Sequence, residues 1–387
     1  MSKNPYITED LEFLAETAEK FAQKYIAPGF LARDQSRNFD RDLVKKMGEM
    51  GFIAPELPEQ YGGQGMGRLA AGVIHEAIAK ADLSFSYVNL LASLNGQILA
   101  EHGEPEVVEP WLRKLTAGEA IFSIGLTEPR GGSDAGSLRL KIERDGDEYV
   151  LNGEKTSISA ADQADASVIF GRTGTVESGA HGVTAVLVPM NLPGITTTRF
   201  DCHGQRAIGR GSIFFDNVRV PQRNLVGAEG MGFMMQMMQF QEERMWACAN
   251  AVGGLENVIQ QTIDYTKERT TFGQPLINNQ YVHFRFAELM TEVEALKALT
   301  YQACEQHIAG ENVTMMASMA KLKAGRLTRE VADSCLQYWG GNGFMWENPA
   351  SQLYRDGRLG SIGGGADEIM LGIICKLMDI LPKKQKG

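Results

Sequence analysis

AIFSIGLTEPRGGSDAGS, Ala120 to Ser137, is where the chain changes character. Its first half carries the apolar, β-branched and aromatic residues of a strand. Its second half is a glycine-rich turn with hydroxyls at Thr127, Ser133 and Ser137. Such a turn can offer backbone N–H groups and hydroxyls to an anion or to the polar edge of a ring. It can equally be an ordinary connection, and the stretch alone does not choose.

Upstream the pattern is helical. Thr8-Glu9-Asp10 can cap a helix through LEFLAETAEKFAQKYIAP that Pro28-Gly29 punctuate, and FDRDLVKKMGEMGF and LAAGVIHEAIAKA repeat the amphipathic spacing. Downstream, to about Val226, RLKIERDG, DEYVLNGEK, ASVIFGRT, GVTAVLVPM and GSIFFDNVRV read as short strands of an antiparallel barrel or sandwich. Helical patterns return at Gly230–Lys267, Tyr281–Ala309, Thr314–Trp339 and Ala366–Leu381, and PKKQKG at the end reads as frayed. The expected architecture is α+β: an N-terminal helical domain at 1–119, a middle β domain at 120–229 and a C-terminal helical bundle at 230–387.

The 387 residues are 43% hydrophobic with net charge −10, and no basic run interleaved with aromatics offers a surface to a nucleic acid. Cys202, Cys248, Cys304, Cys335 and Cys375 stand far apart without metal-ligand spacing, which points to reduced thiols and no metal site. MSKNPYITEDLEFL carries no apolar signal core, and no apolar run reaches membrane-spanning length, so a cytoplasmic protein is expected. Methionine is frequent, and GMGFMMQMMQF (Gly230 to Phe240) reads either as gap-filling core or as the adaptable wall of an apolar pocket.

RTTFGQPLINNQ (Arg269 to Gln280) places a cation, hydroxyls and an aromatic between two helices. Its arginine could bind a pyrophosphate, or the segment could be a plain connection. QYWGGNGF (Gln337 to Phe344) ends a helix on two glycines that could adopt left-handed backbone.

Taken in order with PEQYGGQG, LTEPRGGSD, DEYVLNGEK, FFDNVRVPQRNLVG and YRDGRLGSI, these segments resemble the acyl-CoA dehydrogenase flavoprotein family over essentially the whole chain. The resemblance implies a C-terminal bundle of four helices and a homotetramer. It also implies FAD between the β domain and that bundle, with the flavin ring edge met by Leu126, Thr127 and Ser159. Arg269, Thr271, Phe272, Gln280, Gln337, Gly340 and Gly341 would reach the pyrophosphate and adenine from a neighbouring subunit. Ser133 would face both thioester ligand and cofactor, Glu368 would lie near the cofactor, and Arg244 close to the acyl-CoA. Electron-transfer flavoprotein is the implied electron acceptor.

Acyl-CoA dehydrogenation removes an α-proton as a β-hydride leaves to the flavin. The α-proton is weakly acidic, so the thioester carbonyl must be polarised and a carboxylate held in a dry pocket against the α-carbon. Many family members supply that carboxylate from the loop after YRD. Here SIGGGADEIM (Ser361 to Met370) puts Gly364 at that position, where it can only serve as pocket floor beneath the substrate. FQEERMW (Phe240 to Trp246) resembles instead the long-chain and isovaleryl-CoA type, whose base precedes the helix arginine, and this assigns catalysis to Glu243. Periodicity does not make the same choice: a helical wheel through Met231, Met234, Met235 and Met238 brings Glu242 nearer the methionine face. Asp367 and Glu368 are further candidates.

Three glycines beside a methionine-rich helix suggest a roomy pocket for a branched or medium-to-long acyl group, an isoprenoid thioester such as citronellyl-CoA among them. One departure stands out: Ser157 replaces the tryptophan that many members stack near the flavin. It keeps a same-fold oxidase or flavin monooxygenase using oxygen in view. Gly364 similarly keeps open a non-catalytic acyl-CoA-binding protein.

Overall fold

The Thr8 hydroxyl accepts the Leu11 N–H, and α1 (Glu9–Phe21) follows with Glu9, Asp10 and Glu12 in the first turn, where the helix dipole favours them. The computed structural model describes residues 4–382; the fraying expected at PKKQKG lies, beyond Pro382, outside them. At Pro28-Gly29 the helix tightens through a 3-10 turn and resumes as α2 (Phe30–Ser36). Asp40 then caps α3 (Arg41–Glu49) by accepting the Leu43 N–H at 3.0 Å. α4 (Arg68–Ala81), α5 (Leu83–His102) and α6 (Pro105–Thr116) complete this part. α5 has no polar face because it is buried almost all round, from Ser84 to Leu99.

Eight strands follow: β1 (Phe122–Gly125), β2 (Lys141–Asp145), β3 (Glu148–Ser159), β4 (Ala166–Arg172), β5 (Val183–Pro189), β6 (Ile195–Arg199), β7 (Arg210–Pro221) and β8 (Leu225–Val226). They form one sheet in the order β6-β7-β3-β2-β4-β5-β8, with β1 beside β4. The expected antiparallel pairing needs one correction. β1 runs parallel to β4, and β2 meets β4 in parallel at Lys141–Arg172, so the sheet is mixed. The glycine-rich segment after β1 is too long and irregular for a hairpin, and it leads the chain away before β2 begins. Along β4 and β5 the side chains alternate as the pleat requires. Val168, Phe170, Ala185 and Leu187 pack toward the N-terminal helices, while Ile169, Val186 and Val188 join Ile142, Leu151 and Ile213 in the sheet's own core.

The last part holds α7 (Gly232–Glu268), a short ribbon of β9 (Thr270–Thr271) and β10 (Gln274–Pro275), α8 (Gln280–Ile308), α9 (Thr314–Trp339), α10 (Pro349–Asp356) and α11 (Asp367–Leu377). Leu255, Leu289 and Leu327 centre its core. α7 crosses α4 at backbone contact: a Cβ on Gly253 would stand 2.1 Å from the Glu76 carbonyl oxygen. The methionine face expected on α7 is not a buried one. Met231, Met234 and Met238 are exposed, and the inward positions of those turns go to Met235, Gln236, Gln239 and Glu242. The glycine pair after α9 is not a left-handed pair either: Gly340, at φ +57 with ψ −134, opens a 3-10 turn, and Gly341 is not at positive φ.

Candidate active site

A cavity of about 740 Å³ lies where these three parts meet, walled by α5, the turn after β1, α7, α9 and the segment Gly360 to Ala366. On the sheet side, Leu126 and Thr127 line it where β1 ends. Lys155 of β3 fixes them from behind. Its fully buried ammonium donates to the Leu126 carbonyl at 3.0 Å and to the Glu128 carboxylate at 2.7 Å. Glu128 also accepts the Arg139 and Leu140 N–H groups at 2.8 and 2.9 Å. Burial pushes Lys155 down to about 8, although Glu128 pulls the other way. Against its own burial, Glu128 is held below its ordinary value by Lys155 and the two N–H groups.

Beyond Lys155 the β3–β7 register slips, and Ser157 takes φ +57. Ser157 and Ser159 both line the cavity. The Ser159 hydroxyl accepts from the Arg210 guanidinium at 3.2 Å, and the Gln205 amide oxygen accepts from the same nitrogen at 3.3 Å. Thr127, Ser133 and Ser157 also line the wall, and their hydroxyls make no hydrogen bond within the described residues. Leu126, Thr127 and Ser159, with these free hydroxyls, fit the polar edge of a planar flavin ring.

α7 supplies the opposite wall. Gln236, Phe240, Glu243, Ala247 and Asn250 line the cavity at helical spacing. Glu242 points elsewhere: it pairs with Arg68 and accepts from, or donates to, no cavity group, while His307 Nε2 lies 2.9 Å from its carboxylate. Glu243 is the acid of α7 that lines the cavity; Asp134 and Asp356 line it from other elements. Its Oε1 stands 3.1 Å from where a Cβ on Gly364 would be, and Gly364 itself has φ +62, backbone that an L-residue adopts only with strain. Burial pushes the Glu243 carboxyl above its ordinary value, with Arg244 and Lys321 opposing.

Two cations flank that carboxylate. Arg244 is buried, donates to the Ser318 hydroxyl at 3.2 Å and lies over the Phe240 ring at 5.6 Å. Lys321 of α9 is nearly inaccessible, donates to the Gly365 carbonyl, and brings its Cε to 3.9 Å from the same Gly364 Cβ position. Desolvation lowers the pKa of both.

The structure thus gathers Leu126, Thr127, Ser133, Ser159, Glu243, Arg244 and Gly364 around one space. It keeps the other expected residues out of it. Arg269, Thr271, Phe272 and Gln280 sit at the far end of the helical bundle, near Gln337, Gly340 and Gly341. Tyr265 stacked on Trp339 at 4.1 Å, and Tyr338 reaching the Tyr281 carbonyl, tie the two groups together there. Phe272, Tyr281 and Phe344 are almost wholly exposed at that end. Glu368 is exposed in the first turn of α11, just past the cavity, while the neighbouring Asp367 is engaged by Arg326 and Arg329. Sequence reasoning missed Lys321, Arg210, Tyr87 and Gln236, which also line the cavity. Each is a lone polar residue in an otherwise ordinary run, and only the packing of distant elements gives it a place.

Family models for the acyl-CoA dehydrogenase N-terminal, middle and C-terminal domains match residues 8–119, 123–218 and 230–378. An acyl-CoA dehydrogenase of Bacillus subtilis is 33% identical, with 96% of this chain and 99% of that protein covered. A short-chain specific acyl-CoA dehydrogenase of mouse mitochondria is 31% identical, with 95% and 90% covered. The solved complex of a glutaryl-coenzyme A dehydrogenase with glutaryl-CoA superposes with TM-score 0.94 at 30% identity, covering 100% of this chain and 99% of that one.

Proposed function

The chain belongs to the acyl-CoA dehydrogenase family, and from that premise we propose that Glu243 is the base that removes the substrate's α-proton. The family's enzymes are FAD-dependent oxidoreductases acting on the CH–CH bond of acyl-CoA thioesters, and this chain is one of them. When bound, FAD supplies the acceptor for the β-hydride. Leu126, Thr127, Ser133 and Ser159 would hold it in the cavity with Glu368 nearby, and Arg269, Thr271, Phe272, Gln280, Gln337, Gly340 and Gly341 would reach it from a second copy in a tetramer. A flavin-free preparation that keeps its mass in sedimentation would break that link between cofactor and assembly.

The observation that carries the assignment of the base is the approach of the Glu243 carboxylate to Gly364. Its oxygen reaches the place from which a loop carboxylate would otherwise act, 3.1 Å from the missing Cβ. Burial makes the carboxylate a stronger base, and the charges of Arg244 and Lys321 oppose that upward shift. Glu243→Gln is expected to retain FAD and acyl-CoA binding while slowing anaerobic flavin reduction by about 10³-fold or more. Near-normal reduction in that variant would move the base to another acid.

We propose branched or medium-to-long acyl groups as substrates, citronellyl-CoA among them. Leu90, Leu91, Leu94 and Phe240, which line the cavity beyond Glu243, support this. A best kcat/KM on butyryl-CoA would overturn it, and the mouse short-chain relative makes that a necessary comparison. Electron-transfer flavoprotein is the proposed acceptor and the cytoplasm the proposed location; among the described residues no helix is long and apolar enough to cross a membrane. A second reading, an oxidase, is favoured by one observation: Ser157 leaves the wall open where an aromatic would close it. Stoichiometric oxygen uptake on adding acyl-CoA would select it.

A further inference from the structure

The direction of the acyl chain follows from where the cavity opens. Gly132, Ser133 and Asp134 of the turn after β1 and Met237 of α7 line it and are exposed. The phosphates of a CoA moiety stay in water, so that moiety lies at this mouth and the chain runs inward from Glu243. The inward continuation of the same α7 face is Ala247, Asn250 and Ala251. The alanines leave room there. Leu83 of α5 closes the space one turn further on, its Cδ1 3.8 Å from where a Cβ on Gly254 would be.

Asn250 sets a polar group in this end, two turns past Glu243, which is about 10 Å along the axis. It is 1% exposed, and neither its amide oxygen nor its amide nitrogen has a hydrogen-bond partner among the described residues. It faces the His75 imidazole of α4, which is wholly buried and stacked on Trp246 at 5.4 Å. A neutral imidazole can meet one end of the amide and not both, so the other end is left for whatever fills the cavity. A space that held only methylene groups would be better lined by alanine, as at the two flanking positions, than by a desolvated amide. The other buried polar side chains of α7 with unpaired atoms in this wall lie elsewhere: Gln236 toward the mouth and Arg244 beside Glu243. An amide both donates and accepts, so it matches a hydroxyl. Burial keeps His75 neutral, lowering it to about 4, and the pair therefore offers a carboxylate no opposing charge.

We propose that Asn250, backed by His75, hydrogen-bonds a hydroxyl far along the acyl chain and so makes the enzyme selective for hydroxylated acyl-CoAs. At ~1.2 Å of extension per bond, the offset from Glu243 puts that hydroxyl on a carbon roughly eight bonds beyond the α-carbon. This rests on the reading that the α-carbon sits against Glu243.

The test sets decanoyl-CoA against its 8-, 9- and 10-hydroxy derivatives in wild type, Asn250→Leu and Asn250→Ala, reading kcat/KM together with the Kd from flavin perturbation. Wild type is expected to favour at least one hydroxylated chain about tenfold or more, and the variants to bring it within about threefold of decanoyl-CoA. Asn250→Ala matches the neighbouring Ala249 and Ala251 and carries the comparison should the leucine variant not fold. Wild type treating all four chains alike overturns the proposal whatever the variants do. A preference that survives in the variants overturns it too. So does a loss in them that is equal on every chain, since the amide would then serve the cofactor or the part of the ligand the chains share. In those cases bleaching of the flavin by decanoyl-CoA, lost in Glu243→Gln, leaves the dehydrogenase reading standing; a flavin bleached by none of the chains sinks both.

Discussion

Glu243 does not work alone at the level of single residues. The ammonium of Lys321 approaches the cavity floor from α9, bonded to the Gly365 carbonyl, and stabilises the ionised form of Glu243. Arg244 acts in the same sense from α7, Tyr87 faces the site from α5, and Cys248 and Asp367 lie near Lys321 itself. Removing a cation at this range raises a carboxyl pKa by roughly one unit or more. A base must be ionised to act, so in Lys321→Met the acid limb of the pH profile for anaerobic flavin reduction should move upward by about that much, while Lys321→Arg should leave it in place. An unmoved limb in the methionine variant would leave Lys321 only the role of anchoring the glycine loop. None of this was legible in the sequence. Helical periodicity points toward Glu242, nearer the methionine face; in the fold Met231, Met234 and Met238 face outward, only Met235 of the four turns inward, and Glu242 is held by Arg68 and His307. Only the register of FQEERMW against related chains singled out Glu243.

Among the elements, β3 has the most concentrated role. Its Lys155 locks the end of β1, and its slipped register immediately afterwards turns Ser157 and Ser159 to the cavity. Breaking a buried ion pair by removing one partner strands the other, at a cost of about 3–5 kcal/mol. Lys155→Met should therefore lower the thermal midpoint and purify with little FAD, because Glu128 is left in the wall that positions Leu126 and Thr127. Pairing it with Glu128→Leu should recover midpoint more than FAD content, since the second change removes the stranded charge without restoring the donor to Leu126; equal FAD content in both variants and wild type would show that the clamp does not shape the site. The long α9 could be read from the chain to the residue, and the amphipathic stretch FDRDLVKKMGEMGF contains the shorter α3. α5 could not be singled out, for burial on every side erases the stripe that periodicity detects. The parallel β1–β4 pair was hidden for another reason: alternation marks a strand but not its neighbour.

The molecule as a whole is joined at Asp356, the end of α10. Its carboxylate accepts the Gln205 N–H at 2.5 Å, and a Cβ on the adjacent Gly204 would lie 2.4 Å from the Arg355 carbonyl, so the loop before β7 presses directly on the helical bundle. The N-terminal helices close the same junction. Trp346 donates its indole N–H to Asp34 at 2.7 Å, the Arg355 guanidinium stacks on that indole at 3.6 Å, and Asp82 pairs with Arg33 beneath. Burial first, then the nearby charges of Asp82 and Asp34, push Asp356 up to about 7, against the pull of the Gln205 N–H and Arg355. The folded state thus holds a proton that the unfolded chain releases near pH 4. The stability from this group is complete below that ordinary value and declines as pH rises to about 7, with little further change above it, at a slope of at most about 1.4 kcal/mol per pH unit. Asparagine keeps the acceptor for Gln205 and removes the titration. The thermal midpoint of Asp356→Asn, measured from pH 5 to pH 8, should gain on wild type up to about pH 7 and then run parallel to it. Curves parallel throughout would mean that Asp356 is ionised at the junction, its charge met by Arg355 rather than by a proton.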